Sequence, residues 1–113
     1  MAIEKTTPGE SGGKRLIPDT GTVMLTTFAR ESHPLKALFV GVEPGAYLIL
    51  RYPSGAPVND HLYEGNKMVI KFVHSGKVCG FQAAVKGYIF KPVLILCVIS
   101  YPDAVETIQL RKE

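Results

Sequence analysis

A chain of 113 residues, 46% hydrophobic and 20% charged, fits one globular domain and is too apolar to be disordered throughout. Thirteen Lys and Arg against ten Asp and Glu leave a net charge of +3, an ordinary solubility surplus that argues against the electrostatic footprint of a nucleic-acid binder. Two Cys, three His and no Trp argue against a protein built round several metal ligands.

Residues 1–20 read as a flexible, disordered N-terminal tail and residues 21–113 as the domain. Pro8, Gly9, Gly12, Gly13 and Pro18 interrupt every possible period in the tail, and its apolar residues are too sparse to offset the entropy of ordering. Leu16 and Ile17 are the residues able to clip it onto the domain. No apolar core of a secretory signal is visible in this stretch.

Beyond Gly21 the chain turns to short runs rich in β-branched and aromatic residues. Gly21–Phe28 (GTVMLTTF) is the first predicted strand, with Val23 and Leu25 alternating with Thr22, Met24 and Thr26. Ser32, His33 and Pro34 break it. Lys36–Glu43 (KALFVGVE) and Ala46–Tyr52 (AYLILRY) flank Pro44-Gly45. Pro presets the first central angle of a tight turn there, and Gly supplies the positive φ of the second. Pro53–Gly65, with two Pro, two Gly, Asn59 and Asp60, is a surface loop long enough to meet a partner.

Asn66–His74 (NKMVIKFVH) is a strand with Met68, Ile70 and Phe72 or Val73 inward and Lys67, Val69 and Lys71 on the other face. Ser75-Gly76 turns it into Lys77–Phe90, about 14 residues against a usual 5 or 6 for a strand. Gly80 and Gly87 mark places for a bulge or a barrel corner within it. Val93–Ser100 (VLILCVIS) is apolar on both faces and reads as a central strand. Its apolar run is well short of the roughly 20 residues a spanning helix needs, so a soluble, cytoplasmic protein without a membrane span is expected. Ala104–Lys112 is either a short helix or a last strand. Six or seven antiparallel strands with hairpin turns predict an all-β fold, a sandwich or a small barrel, and strongly bent strands with internal Gly favour the barrel.

Residues with chemical potential are scattered along this scaffold. Cys79 and Cys97 match no zinc, haem or CxxC spacing, and their apolar neighbours suit two reduced, buried thiols. His33, His61 and His74 fall in three separate segments, so no metal site is expected. A nucleophilic set would combine Cys79 with His74 and Asp103, yet nothing in the sequence lowers the thiol pKa. No phosphate-binding glycine motif occurs, and Glu43, Glu64 and Glu106 lie in unrelated segments, so no carboxylate pair can be assigned. Neither an enzyme nor a cofactor is expected. Two alternatives remain at this level. One is a nucleic-acid-binding barrel using Arg51, Lys71, Lys77 and neighbouring aromatics; the other is a flavin-associated split barrel.

Several blocks, in order, carry a family resemblance: Phe39–Arg51 (FVGVEPGAYLILR), Leu62–Gly65 (LYEG), Ile70–Val73 (IKFV), Gly76–Phe81 (GKVCGF), Ser100–Glu106 (SYPDAVE) and Leu110–Lys112 (LRK). Over residues 21–112 the set resembles the N-terminal (PilZN, or YcgR-like) domain of flagellar brake proteins of the PilZ type. The resemblance implies a split β-barrel and a place in cyclic di-GMP signalling that damps flagellar motility. In that family the nucleotide is held mainly by the following PilZ domain, through an Arg-x-x-x-Arg junction and an Asp/Asn-x-Ser-x-x-Gly motif. Paired guanidiniums clamp phosphates bidentately. Arg111 could be the first Arg of that junction, a partial motif only. The second Arg and the Asp/Asn-x-Ser-x-x-Gly motif do not occur in these 113 residues. The expectation is a non-catalytic protein-interaction module with little or no nucleotide affinity of its own. Its partner would be a PilZ-domain or flagellar motor protein, or a second copy paired through a strand edge, and not nucleic acid.

Overall fold

The computed structural model describes residues 3–6, 17–91 and 93–109. Eight strands form one antiparallel sheet: β1 (Ile3–Thr6), β2 (Val23–Phe28), β3 (Leu35–Glu43), β4 (Tyr47–Tyr52), β5 (Lys67–His74), β6 (Lys77–Lys91), β7 (Leu94–Ser100) and β8 (Val105–Gln109). Their order is β1-β8-β6-β5-β2-β3-β4-β7, and β7 returns to pair with β6. The ring β6-β5-β2-β3-β4-β7 is therefore closed, which removes the free edges of those six strands. The all-β barrel that the strand spacing predicts is the fold observed. The undecided last segment is strand β8, laid beside the first residues of β6. Within the expected tail, Ile3–Thr6 pairs as β1 with β8, whose outer edge offers it unsatisfied backbone groups. Ile17 is buried against the core; residues 7–16, with Leu16, lie outside the described residues.

Closure depends on β6. Its first part, Lys77–Ala84, pairs with β5, and its last part, Val85–Lys91, pairs with β7. The register shifts between Val85 and Gly87, so Lys86 has no cross-strand partner there and the strand turns the corner. The expected bend thus falls at Gly87. Gly80 sits in an unbroken ladder opposite both Lys71 and Glu106. A second bulge, between Phe39 and Gly41 in β3, puts Val40 on the exterior.

Turn chemistry follows the residues. The Ala46 amide donates to the Glu43 carbonyl at 2.9 Å, with Gly45 at φ +78°, the turn that Pro44-Gly45 predicts. Ser75 and Gly76 both have positive φ, as a two-residue hairpin matched to strand twist requires.

Inside the ring, alternate residues of each strand meet: Met24 and Phe28, Phe39, Leu48 and Leu50, Ile70 and Phe72, Phe81 and Val85, Ile95 and Ile99 are all buried. Each large apolar side chain so placed stabilises the fold by about 1.5–3 kcal/mol. On β2 the inward set is Met24, Thr26 and Phe28, so Val23 and Leu25 face out. A hydroxyl chain makes this assignment work. Thr26 Oγ1 donates to the Leu35 carbonyl at 3.1 Å and lies 2.6 Å from the Tyr52 hydroxyl. With the threonine proton committed, Tyr52 is the donor of the second bond, and β2, β3 and β4 are tied together by one chain of buried polar groups. Burial holds the Tyr52 phenol well above its ordinary pKa, against the smaller opposing effect of Thr26.

The Pro53–Gly65 segment is the expected surface loop, with most of its residues exposed, and it also contributes to the core. Val58 and Leu62 are buried on either side of a short 3-10 turn, Asn59–His61. Asn66 Nδ2 donates to the His61 carbonyl at 2.8 Å, and the His61 ring stacks on Phe28 at 5.0 Å. The segment covers part of the core because its two apolar residues have nowhere drier to go.

Two expected outcomes test this account. Thr26→Val leaves the Tyr52 hydroxyl buried without an acceptor and should cost about 1–3 kcal/mol, more than the roughly 1 kcal/mol expected of Tyr52→Phe. Urea midpoints read the difference, and a neutral Thr26→Val would contradict the hydroxyl chain. Cys79 and Cys97 are free and buried; burial pushes the Cys97 thiol up to about 12 from 9.0. A folded-state pKa above the unfolded one means that the native state keeps protons the unfolded state has lost. Stability should therefore fall as pH rises from 9.0 towards 12, and neither thiol should react with DTNB faster than the chain unfolds. Rapid labelling of the native protein would refute the packing.

Candidate functional site

The residues with chemical potential are set apart by the sheet. Cys79 points inward opposite Phe72 on β5 and Thr107 on β8. Burial raises its thiol pKa; the Thr107 hydrogen bond and Lys77 oppose this by less. His74 occupies the next position on that face, at the end of β5. Asp103 is exposed and lines a groove of about 370 Å³ on the outer side, beside Lys71 and Gln82. A protonated thiol on one face and a carboxylate on the other do not form a nucleophilic triad.

The histidines are equally dispersed. His33 is exposed after β2, 3.3 Å from the Ser32 hydroxyl. His61 stacks on Phe28 and lies 3.7 Å from a Glu31 carboxylate oxygen. No group of three or more metal-ligating side chains occurs among the described residues. Glu43 ends β3, Glu64 precedes β5, and Glu106 is on β8. Arg111 lies outside the described residues. Among the described residues, no helix is long and apolar enough to cross a membrane.

Arg51 and Lys71 are exposed, and Lys77 is half-buried. The aromatics beside them in sequence, Tyr52 and Phe72, are 1% and 3% exposed. Neighbours on a strand face opposite sides, so cation and ring cannot work together on a stacked base. The alternation was already readable from the sequence and weighs against a nucleic-acid platform of these residues.

The blocks that carry the family resemblance serve the architecture. Ser100 Oγ accepts from the Ala84 amide at 3.0 Å, filling a place in the β6 ladder near its corner. Pro102 and Val105 are buried in the turn from β7 to β8, and Phe81 belongs to the core.

What the sequence reading missed lies outside the barrel. Val23, Leu25 and Leu38 are exposed by 50%, 39% and 41%. Val23 sits directly opposite Leu38, which pairs on its other side with Arg51. Leu25 lies between Lys36 on β3 and Lys71 on β5. A groove of about 430 Å³ runs over Val23, Leu38 and Pro53, with Lys36 and Arg51 in its walls. The signal was present in the two-sided hydrophobicity of VMLTTF and KALFV, which serves two surfaces rather than one. The face joins apolar contact area to cations and brings no nucleophile, acid or metal ligand set together.

No protein of curated function matches the chain. The family described as flagellar protein YcgR, PilZNR, matches residues 19–102, a span that takes in β2 to β7 and so the complete six-strand ring. On that match the chain belongs to the YcgR family of flagellar proteins, as a module of its PilZ N-terminal type.

Proposed function

We propose that this chain is a non-catalytic protein-interaction module acting in the cytoplasm, in the cyclic di-GMP-dependent control of flagellar motility. The observation that carries this reading is the family match over the entire closed ring, residues 19–102. Its physical support is the division of labour across the sheet. The interior is packed with side chains held there by burial, and the exterior of β2 and β3 exposes aliphatic residues flanked by cations. A rigid barrel with such an exterior presents a preformed surface, so ordering costs on association are small.

Cyclic di-GMP needs paired guanidiniums or an equivalent clamp on its phosphates. No Arg-x-x-x-Arg and no Asp/Asn-x-Ser-x-x-Gly occurs in these 113 residues, and the exposed arginine of the outer face, Arg51, is paired in register with Leu38 and Leu96 rather than with another arginine. The module therefore supplies contact, and the nucleotide grip lies with other residues.

Calorimetric titration of cyclic di-GMP into the 113-residue chain should give no binding in the micromolar range, and micromolar affinity would overturn this division of labour. Affinity capture from the native cell with the same chain should recover flagellar motor or stator components. Repeated capture without any of them would remove the motility assignment.

A further inference from the structure

The outer face made by β5, β2, β3 and β4 is predominantly positive. Along these strands the exposed charged residues are Lys67 and Lys71 on β5, Lys36 and Glu43 on β3 and Arg51 on β4. Lys71 shares a neighbouring groove with Asp103 and Glu106, which leaves Lys36 and Arg51 as the cations away from any carboxylate of that groove. No Asp or Glu occurs in β2, β4 or β5, and β3 has Glu43 alone, at its far end beside the turn. The apolar residues between the cations are continuous in register. Val23 meets Leu38, and Leu25 bridges Lys36 to Lys71. Exposed aliphatic side chains directly opposite one another, on strands that already have a complete core, gain nothing from their exposure in the free molecule.

We propose, on the interaction-module reading above, that this face is the docking surface, and that its occupant is an acidic amphipathic segment of a partner protein. Aliphatic side chains of that segment fill the groove over Val23, Leu38 and Pro53, and its carboxylates meet Lys36 and Arg51 in the groove walls. Charge complementarity selects this occupant. A second copy presenting the same face would set cations against cations across a two-fold axis. An anionic lipid surface would meet only a few cations on a curved face and find little hold there. Nucleic acid would find no exposed ring here to stack on, since the aromatics of these strands point inward or, like Tyr47, lie at the turn end.

The test uses the intact chain, isotopically labelled for NMR, and a synthetic amphipathic peptide of Leu and Glu. Amide shifts should cluster at Val23, Leu25, Lys36, Leu38 and Arg51 and weaken as salt is raised. Lys36→Glu with Arg51→Glu should lower the peptide's affinity about tenfold or more. Leu38→Ser, at an outward position, should weaken it with the spectrum otherwise unchanged. Lys86→Glu, at the bulge of β6 on another part of the barrel, should leave binding intact. Shifts elsewhere, equal affinity for a Leu and Lys peptide, or stronger association with phosphatidylglycerol vesicles or single-stranded DNA would each overturn the assignment. Recovery of flagellar proteins that is indifferent to the Lys36 and Arg51 reversals would overturn the surface while leaving the motility reading intact. Peptide binding at this face with no flagellar protein captured would do the reverse.

Discussion

Everything in this molecule depends on one strand being shared. β6 pairs with β5 along its first half and with β7 along its second, and only a backbone that changes direction between Val85 and Gly87 can do both. Without that corner β7 would end the sheet with an open edge, and the interior of β4 would face water. The cost is modest: one residue, Lys86, outside the ladder, with its side chain in solvent. The gain is a ring whose backbone groups are satisfied without recourse to a partner chain. Loop and corner support each other, since the Gly65 amide donates to the Val85 carbonyl and the Val85 amide to the Asn66 carbonyl. These bonds anchor the end of the covering loop to the bend.

Closure also decides what is inside. A ring of six short strands has a small interior, and side chains fill it from every strand. One polar chain, Tyr52 to Thr26 to the Leu35 carbonyl, is admitted because each of its groups finds a partner. It links three neighbouring strands and so favours one register over its alternatives, a one-residue slip of β2 being enough to expel Thr26 from the core. The same chain explains an otherwise odd distribution. With Met24, Thr26 and Phe28 inward, the aliphatic residues Val23 and Leu25 are left on the surface. Exterior hydrophobicity is thus a consequence of how the core was satisfied, and it supplies the material for a binding face.

The titratable side chains are spread over this scaffold rather than gathered in one place. The two cysteines are buried and their thiols raised in pKa, His61 stacks on Phe28, and His33 is exposed. The stretch matched to the family, residues 19–102, holds the scaffold: the corner between Val85 and Gly87 and the turn at Pro44-Gly45. A scaffold held together from within leaves the decoration of its outer strands free to vary.

Local chemistry made much of the fold legible in the residues alone. Pro44-Gly45 and Ser75-Gly76 announce hairpins through their backbone preferences, β5 announces its inward face by strict alternation, and the length of β6 with Gly87 inside it announces a corner. These are properties of a residue and its immediate neighbours, so reading along the chain suffices. Which way β2 faces could not be read so, because Thr26 is a polar residue whose burial depends on a tyrosine 26 positions away. Nor could the strand assignment of Val105–Gln109, whose ambiguous pattern is settled by the edge of β6, or the burial of Val58 and Leu62, which requires an uncovered core beneath them. The sequence by itself determined turns and alternation. Tertiary structure decided inside from outside, because burial is set by distant surfaces meeting and no residue carries that information alone.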